Sequence, residues 1–213
     1  MASSESALRG PGRRIRQERG RKTRDALIAT GFRLLKEHEF EFITVADLAR
    51  EAGYSVGAFY SRFRSKGEFL DALVAQHLEQ RTRARDRTLA TSTPDTLIEN
   101  LVRDLVGYYW KRRLFWRATL QRGMRTPSFW KPLEDQGQQT AAAVVAKFSE
   151  IARRKLTEAE VMDVRFAYHI TLGAVNNWIV NRPGPLLFLD RERFIENLVR
   201  TFRLVSNYDS LVA

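Results

Sequence analysis

Apolar residues recur at three- and four-residue steps along nearly all of the chain after Lys22, and strand-like alternation is almost absent. That period belongs to helices, so the chain is predicted to be all-α. Helix-start chemistry recurs at intervals that divide it into about nine helices. The first covers roughly 23–39, with Ile28, Phe32 and Leu35 on one stripe and Leu27, Gly31 and Leu34 beside it. Thr44, with Asp47 three positions on, caps a short second helix. Ser65 and Glu68 have capping-box spacing and open a helix to about Arg87. Thr93-Pro94 and Thr126-Pro127 each place proline where a helix begins without needing its N–H. Thr157 with Glu160 opens 157–181, Pro183-Gly184-Pro185 interrupts the chain, and Asp190 caps a last helix to about Asn207.

The segment 44–63, TVADLAREAGYSVGAFYSRF, is the most informative. Val45, Leu48 and Ala49 form the inner face of two helical turns, and Ala49 is small enough for a second helix to cross closely. Gly53 stands where a left-handed residue must end the helix. Ser55 then caps another short helix, which turns Val56 and Phe59 inward and Gly57 and Tyr60 outward. Two short helices joined at a glycine form a helix-turn-helix, whose second helix enters the DNA major groove. An ordinary helical hairpin would carry the same pattern.

Charge separates those alternatives. Lys and Arg number 36 against 25 Asp and Glu, a net charge of +11. Residues 1–24 carry +6 of it, including Arg13, Arg14 and Arg16, while 25–70 carry −1 and 71–125 carry +5. Such a leader is either a solvated tail or an arm that lays arginines into a minor groove, and the latter favours the DNA-binding reading.

The same residues resemble the DNA-binding domain of the TetR family of transcriptional repressors. The likeness runs through Lys22-Thr23-Arg24, Thr44-Val45-Ala46-Asp47-Leu48-Ala49, Gly53-Tyr54-Ser55-Val56-Gly57 and Phe59-Tyr60 to Phe63, Lys66 and Leu70. It implies a basic arm over 1–20, a helix-turn-helix domain over 21–81 and a helical effector-binding and dimerisation domain over 82–213. Thr44, Lys66 and Tyr60 would hold the DNA backbone, Ser55, Val56, Gly57 and Ala58 would face the groove, and Phe63 would be core. The residues themselves add a restriction. Val56, Gly57, Ala58 and Ala46 carry no side-chain hydrogen-bonding group, so bidentate base readers are missing. Tyr54, Ser55 and Ser61 offer only hydroxyls, and Arg62 and Arg64 reach toward phosphate. Direct readout is expected to be thin, with DNA shape and the arm supplying much of the discrimination.

The helices at 157–181 and 190–207 are apolar on two stripes, which requires either a thick core or a second chain. The resemblance favours a homodimer sealed by Leu172, Val175, Phe194, Leu198, Phe202 and Val205, reading a two-fold symmetric operator in double-stranded DNA. The middle helices are aromatic and arginine-rich. Packed core is one account of them. The other is a pocket for a small, largely apolar effector, built from Trp110, Phe115, Trp116, Arg117, Phe129, Trp130, Phe166, His169 and Asn177.

Other classes fit poorly. No cysteine is present, and His38, His77 and His169 are not paired at metal-ligand spacing. No G-x-S-x-G, P-loop or G-x-G-x-x-G occurs, so neither enzyme chemistry nor a cofactor is expected. The first 24 residues lack an apolar stretch, and the most apolar window, 161–180, carries Asp163, Arg165, His169, Asn176 and Asn177, too polar to span a bilayer. The expectation is a cytoplasmic, nucleoid-associated regulator. An architectural DNA-binding protein without an effector is the nearest alternative.

Overall fold

A computed structural model describes residues 11–181 and 190–212, with side chains from Gln17 onward. Ten α-helices and two 3-10 turns make up the described residues, with no strand among them. The chain divides into two units, Met1–Val74 and Ala75–Ala213. The division falls earlier than the expected boundary after residue 81.

The first unit contains α1 (Pro11–Leu34), a 3-10 turn (Phe40–Phe42), α2 (Val45–Ala52), α3 (Val56–Tyr60) and the opening turns of α4 (Lys66–Thr91). The sequence reading began the first helix near residue 23, and the structure corrects this. Helix α1 takes in 11–20, part of the expected arm. Arginine, glutamine and glutamate are good helix formers, and Glu18 pairs with Lys22 one turn later at 3.8 Å, so charge density does not prevent the helix. Residues 1–10, and the side chains of Arg13, Arg14 and Arg16, lie outside the described residues.

Helix α1 buries Leu27, Ile28 and Gly31, with Leu35 buried just past its end. A Cβ on Gly31 would stand 2.6 Å from Phe69 Cζ and 3.3 Å from Leu73 Cδ2. Phe69 is itself fully buried against Phe59 and Phe63 and has nowhere to retreat. Gly31→Ala is therefore expected to destabilise this unit by about 1–3 kcal/mol, read as a lower urea midpoint. An unchanged midpoint would show that the contact relaxes freely.

The second unit contains α5 (Leu97–Lys111), α6 (Arg113–Arg125), a 3-10 turn (Pro127–Trp130), α7 (Lys131–Ile151), α8 (Glu158–Val180), α9 (Arg191–Val205) and α10 (Tyr208–Val212). Helix α9 packs against α5 and α8, α8 also against α7, and α10 against α9 and α7. Thr157 with Glu160 forms the expected capping box, and Asp190 accepts from Arg193 N at 2.8 Å. Two proline signals shift. Pro94 lies in a turn where the Thr96 hydroxyl accepts from Thr93 N, and the helix begins only at Leu97. Pro127 opens the 3-10 turn rather than α7. The expected 183–185 break lies outside the described residues.

The two stripes of α8 and α9 are largely used within the chain. Val175, Phe194, Leu198 and Phe202 are buried in this unit's own core, and Leu172 and Val205 are half-buried. Four of the six residues expected at a dimer seam are thus spent on neighbouring helices, because α9 has both α5 and α8 beside it. The face of α8 left open is a different one, carrying Met162 (64 % exposed), Phe166 (55 %), His169, Gly173, Asn177 and Val180.

Candidate nucleic-acid interface

The surface is built by α2, its turn and α3. Thr44 Oγ1 accepts from Asp47 N at 3.0 Å and donates to Asp47 Oδ2 at 2.6 Å, while Thr44 N donates to the same carboxylate oxygen. This reciprocal box fixes the start of α2. The Thr44 hydrogen bonds, with Arg50 adding to them, hold the Asp47 carboxyl below its usual range. Gly53 ends α2 at φ 75°, a left-handed conformation that glycine adopts without strain. The chain then reverses into α3, where Ser55 Oγ accepts from Ala58 N at 3.1 Å.

A five-residue helix cannot hold itself together in water. Phe59 anchors it as the one buried residue of α3, with ring centroids 5.3 Å from Phe63 and 5.5 Å from Phe69. Val56 turns outward rather than inward, 42 % exposed, alongside Ser55, Gly57, Tyr60 and Ser61, with Tyr54 and Ala58 half-buried. Local bonding further reduces the hydroxyl supply on this face. Ser61 donates to the Ala58 carbonyl at 2.7 Å, and the Ser55 oxygen is occupied by Ala58 N.

The cations around this face have different surroundings. Lys66 donates to the Glu41 carbonyl at 3.0 Å, and its Nζ sits 4.6 Å from the Phe40 ring centroid. Burial lowers its pKa against the opposing charge of Glu41. Lys66 is thus drawn toward the 3-10 turn. Arg62 lies on α1: its guanidinium stands within 3.0 Å of where a Cβ on Gly20 would be. That contact, invisible in the sequence, joins Arg62 to the helix bearing Arg19, Arg21, Lys22 and Arg24.

The residues expected to form an effector pocket are distributed over several parts of the second unit. Trp110 stacks on Trp178 at 4.8 Å, and Trp178 on Phe194 at 4.4 Å. Trp116 stacks on His77 and donates to Asn176 Oδ1 at 2.7 Å, with Phe115 on another side of the same imidazole. Phe129 and Trp130 belong to the 3-10 turn after α6, Trp130 against Gly123, and Arg117 is half-buried on α6. Phe166, His169 and Asn177 lie on the open face of α8. Phe166 and His169 share with Leu172 a groove along α7 and α8. Sequence periodicity missed His77 and Arg81, both buried in the second unit.

Among the described residues no group of three His, Cys, Asp or Glu could hold a metal ion, and no helix is long and apolar enough to cross a membrane.

Residues 27–73 match the family model described as bacterial regulatory proteins, tetR family. Over 48 residues the chain is 44 % identical to an uncharacterized HTH-type transcriptional regulator, YwcC, of Bacillus subtilis (strain 168), a match covering 22 % of each protein. Solved structures extend the likeness in fold. A transcriptional regulator from Rhodococcus sp. Rha1 superposes with a TM-score of 0.69 at 15 % identity, over 86 % of this chain and 96 % of that one. GusR of Salmonella enterica gives 0.63 at 17 % identity, over 87 % and 95 %. The ketosteroid transcriptional regulator KstR2 of Mycobacterium tuberculosis gives 0.53 at 18 % identity, over 86 % and 93 %.

Proposed function

Starting from a tetR-type helix-turn-helix in the first unit, we propose that the chain is a cytoplasmic, sequence-specific transcriptional regulator that binds double-stranded DNA as a homodimer. A small effector in the second unit releases it. The observation that carries this reading is α3, held by a single buried phenylalanine and presenting Ser55, Val56, Gly57 and Tyr60 to solvent. A helix so displayed contributes little to its own core and fits a major groove. Ser55, Val56, Gly57 and Ala58 face the bases. Thr44, Tyr54, Tyr60, Arg62 and Lys66 hold the backbone, with Arg13, Arg14 and Arg16 extending the contact. Lys66 would exchange its Glu41 carbonyl for a phosphate.

Pairing is supported by the open face of α8, where Met162, Phe166 and Val180 stay exposed and His169, Gly173 and Asn177 lie between them. One short recognition helix binds weakly, and two placed about 34–36 Å apart read two half-sites together.

Selection of bound duplexes from a random library tests the reading. The expected result is a two-fold symmetric site, bound by a species of twice the chain mass. No preference over bulk DNA would overturn it. At that site Arg62→Gln is expected to lower the slope of log affinity against log salt by about 1 per half-site, with base preference retained. An unchanged slope would remove Arg62 from the interface.

A further inference from the structure

The second unit holds a cleft of about 540 Å³ lined by α4, α5 and the first turns of α9. Six cations face it, Arg81, Arg87, Arg103, Lys111, Arg112 and Arg191, against two carboxylates, Asp104 and Glu192. Both carboxylates have partners of their own, Glu192 pairing with Arg191 at 3.5 Å as well. The Thr88 hydroxyl donates to Asp104, and Glu192 accepts from Arg103 Nη1 at 2.6 Å. With Glu99 also paired to Arg103, at 3.1 Å, a net surplus of three positive charges is left around a cavity of the size small molecules occupy.

Arg81 is the informative residue. It is only 8 % exposed, and its Nη1 is buried with no hydrogen-bond partner. Its guanidinium lies 4.8 Å from the Tyr108 ring centroid and 5.6 Å from that of Tyr109. Cation–π contact offsets only part of the desolvation of a buried guanidinium, which is ordinarily matched by an anion. The adjoining His77 supplies no negative charge: burial first, then Arg81 and Arg112, push its pKa down to about 3, so it is neutral. Arg81 and Thr88 also line a second cavity of about 20 Å³, room for about one water and too small for an organic ligand.

We propose that this cleft is the site of an organic carboxylate, whose charge is matched by the Arg81 guanidinium with Lys111 and Arg112 beside it. The planar guanidinium edge matches a carboxylate in shape and charge. A bulky polyanion such as duplex DNA cannot enter a cleft of this size. The proposal deepens the effector part of the reading above and rests on it for its regulatory meaning. Of the aromatic residues that suggested a largely apolar effector, Trp110, Phe115 and Trp116 are engaged in ring contacts, and the cleft itself is cationic.

Calorimetric titration of the full chain with benzoate, octanoate and succinate, each beside its neutral amide and beside inorganic phosphate, tests it. The expected result is that at least one carboxylate binds at least tenfold tighter than its amide and than phosphate. Arg81→Met should abolish that preference and Lys111→Gln should weaken it severalfold. Arg81→Met should also keep or raise the urea midpoint of the ligand-free protein, because it removes an unmatched buried charge; a purely structural arginine would lower it. Equal binding of acid and amide, tighter binding of phosphate, no binding by any carboxylate, or a preference unchanged in Arg81→Met would each overturn the proposal. The same ligands are then added to the operator complex. Arg81-dependent carboxylate binding that leaves operator affinity unchanged would uphold the site and overturn the effector reading alone.

Discussion

Phe59→Ala is expected to abolish operator binding by dismantling the surface that presents α3. Phe59 touches no solvent, and its ring meets Phe63, Phe69 and Tyr60. Truncating a fully buried phenylalanine costs about 3–5 kcal/mol. Small domains have total stabilities near the lower end of about 5–15 kcal/mol, so most of the margin is spent. The loss is local as well as global. Tyr60 is half-exposed and Val56 nearly so, and neither can replace the anchor. Circular dichroism should show a large fall in the midpoint of the first unit, and fluorescence anisotropy should show operator affinity falling by at least two decades. Phe59→Leu keeps most of the volume and should retain binding with a smaller stability loss. A Phe59→Ala protein with wild-type melting and affinity would mean that another contact holds α3.

Acid should destabilise the second unit through His77. The imidazole is fully buried among Tyr108, Tyr109, Phe115 and Trp116, and both ring nitrogens lack hydrogen-bond partners. Burial, with the charges of Arg81 and Arg112, lowers its pKa from 6.5 to about 3 in the folded state. Between those values the unfolded chain binds a proton that the folded chain refuses. Stability is therefore fully present above about pH 6.5 and is lost as the pH falls toward 3, by up to on the order of 4 kcal/mol. Urea unfolding followed by tryptophan fluorescence at pH 7, 5.5 and 4.5 should show the loss, because all four tryptophans lie in the second unit. His77→Phe removes the titration and two unsatisfied nitrogens, so its midpoint should fall less with acid than the wild type's. Parallel pH profiles for the two proteins would exclude His77 as the cause.

The elements legible in the sequence depended on contacts three or four residues long. Thr44 bonds to Asp47, Ser55 to Ala58, Thr157 to Glu160 and Asp190 to Arg193, and in each case the donor and acceptor are close in the chain before anything else folds. Gly53 was readable for the same reason: the penalty on a left-handed residue is local. Less was legible where neighbours came from afar. Periodicity identified two apolar stripes on α8 and α9 but not which stripe meets the same chain, and Val175 and Phe194 proved to be interior. The aromatic count in 108–130 suggested a pocket, whereas Trp110 stacks on Trp178, 68 residues away in the chain. Arg81 and His77 looked like ordinary helix residues because nothing nearby in sequence reveals their burial.

The sequence by itself determined that the chain is helical, where most helices start, and that residues 44–63 form a helix-turn-helix. These outcomes follow from backbone hydrogen bonding and side-chain period, which act over one or two turns. Only the tertiary structure decided which apolar rows became core, which face of α8 stayed open, and that a guanidinium would be enclosed without a counter-charge. Burial and electrostatic pairing depend on which distant segments pack together, a property that no local stretch of residues carries.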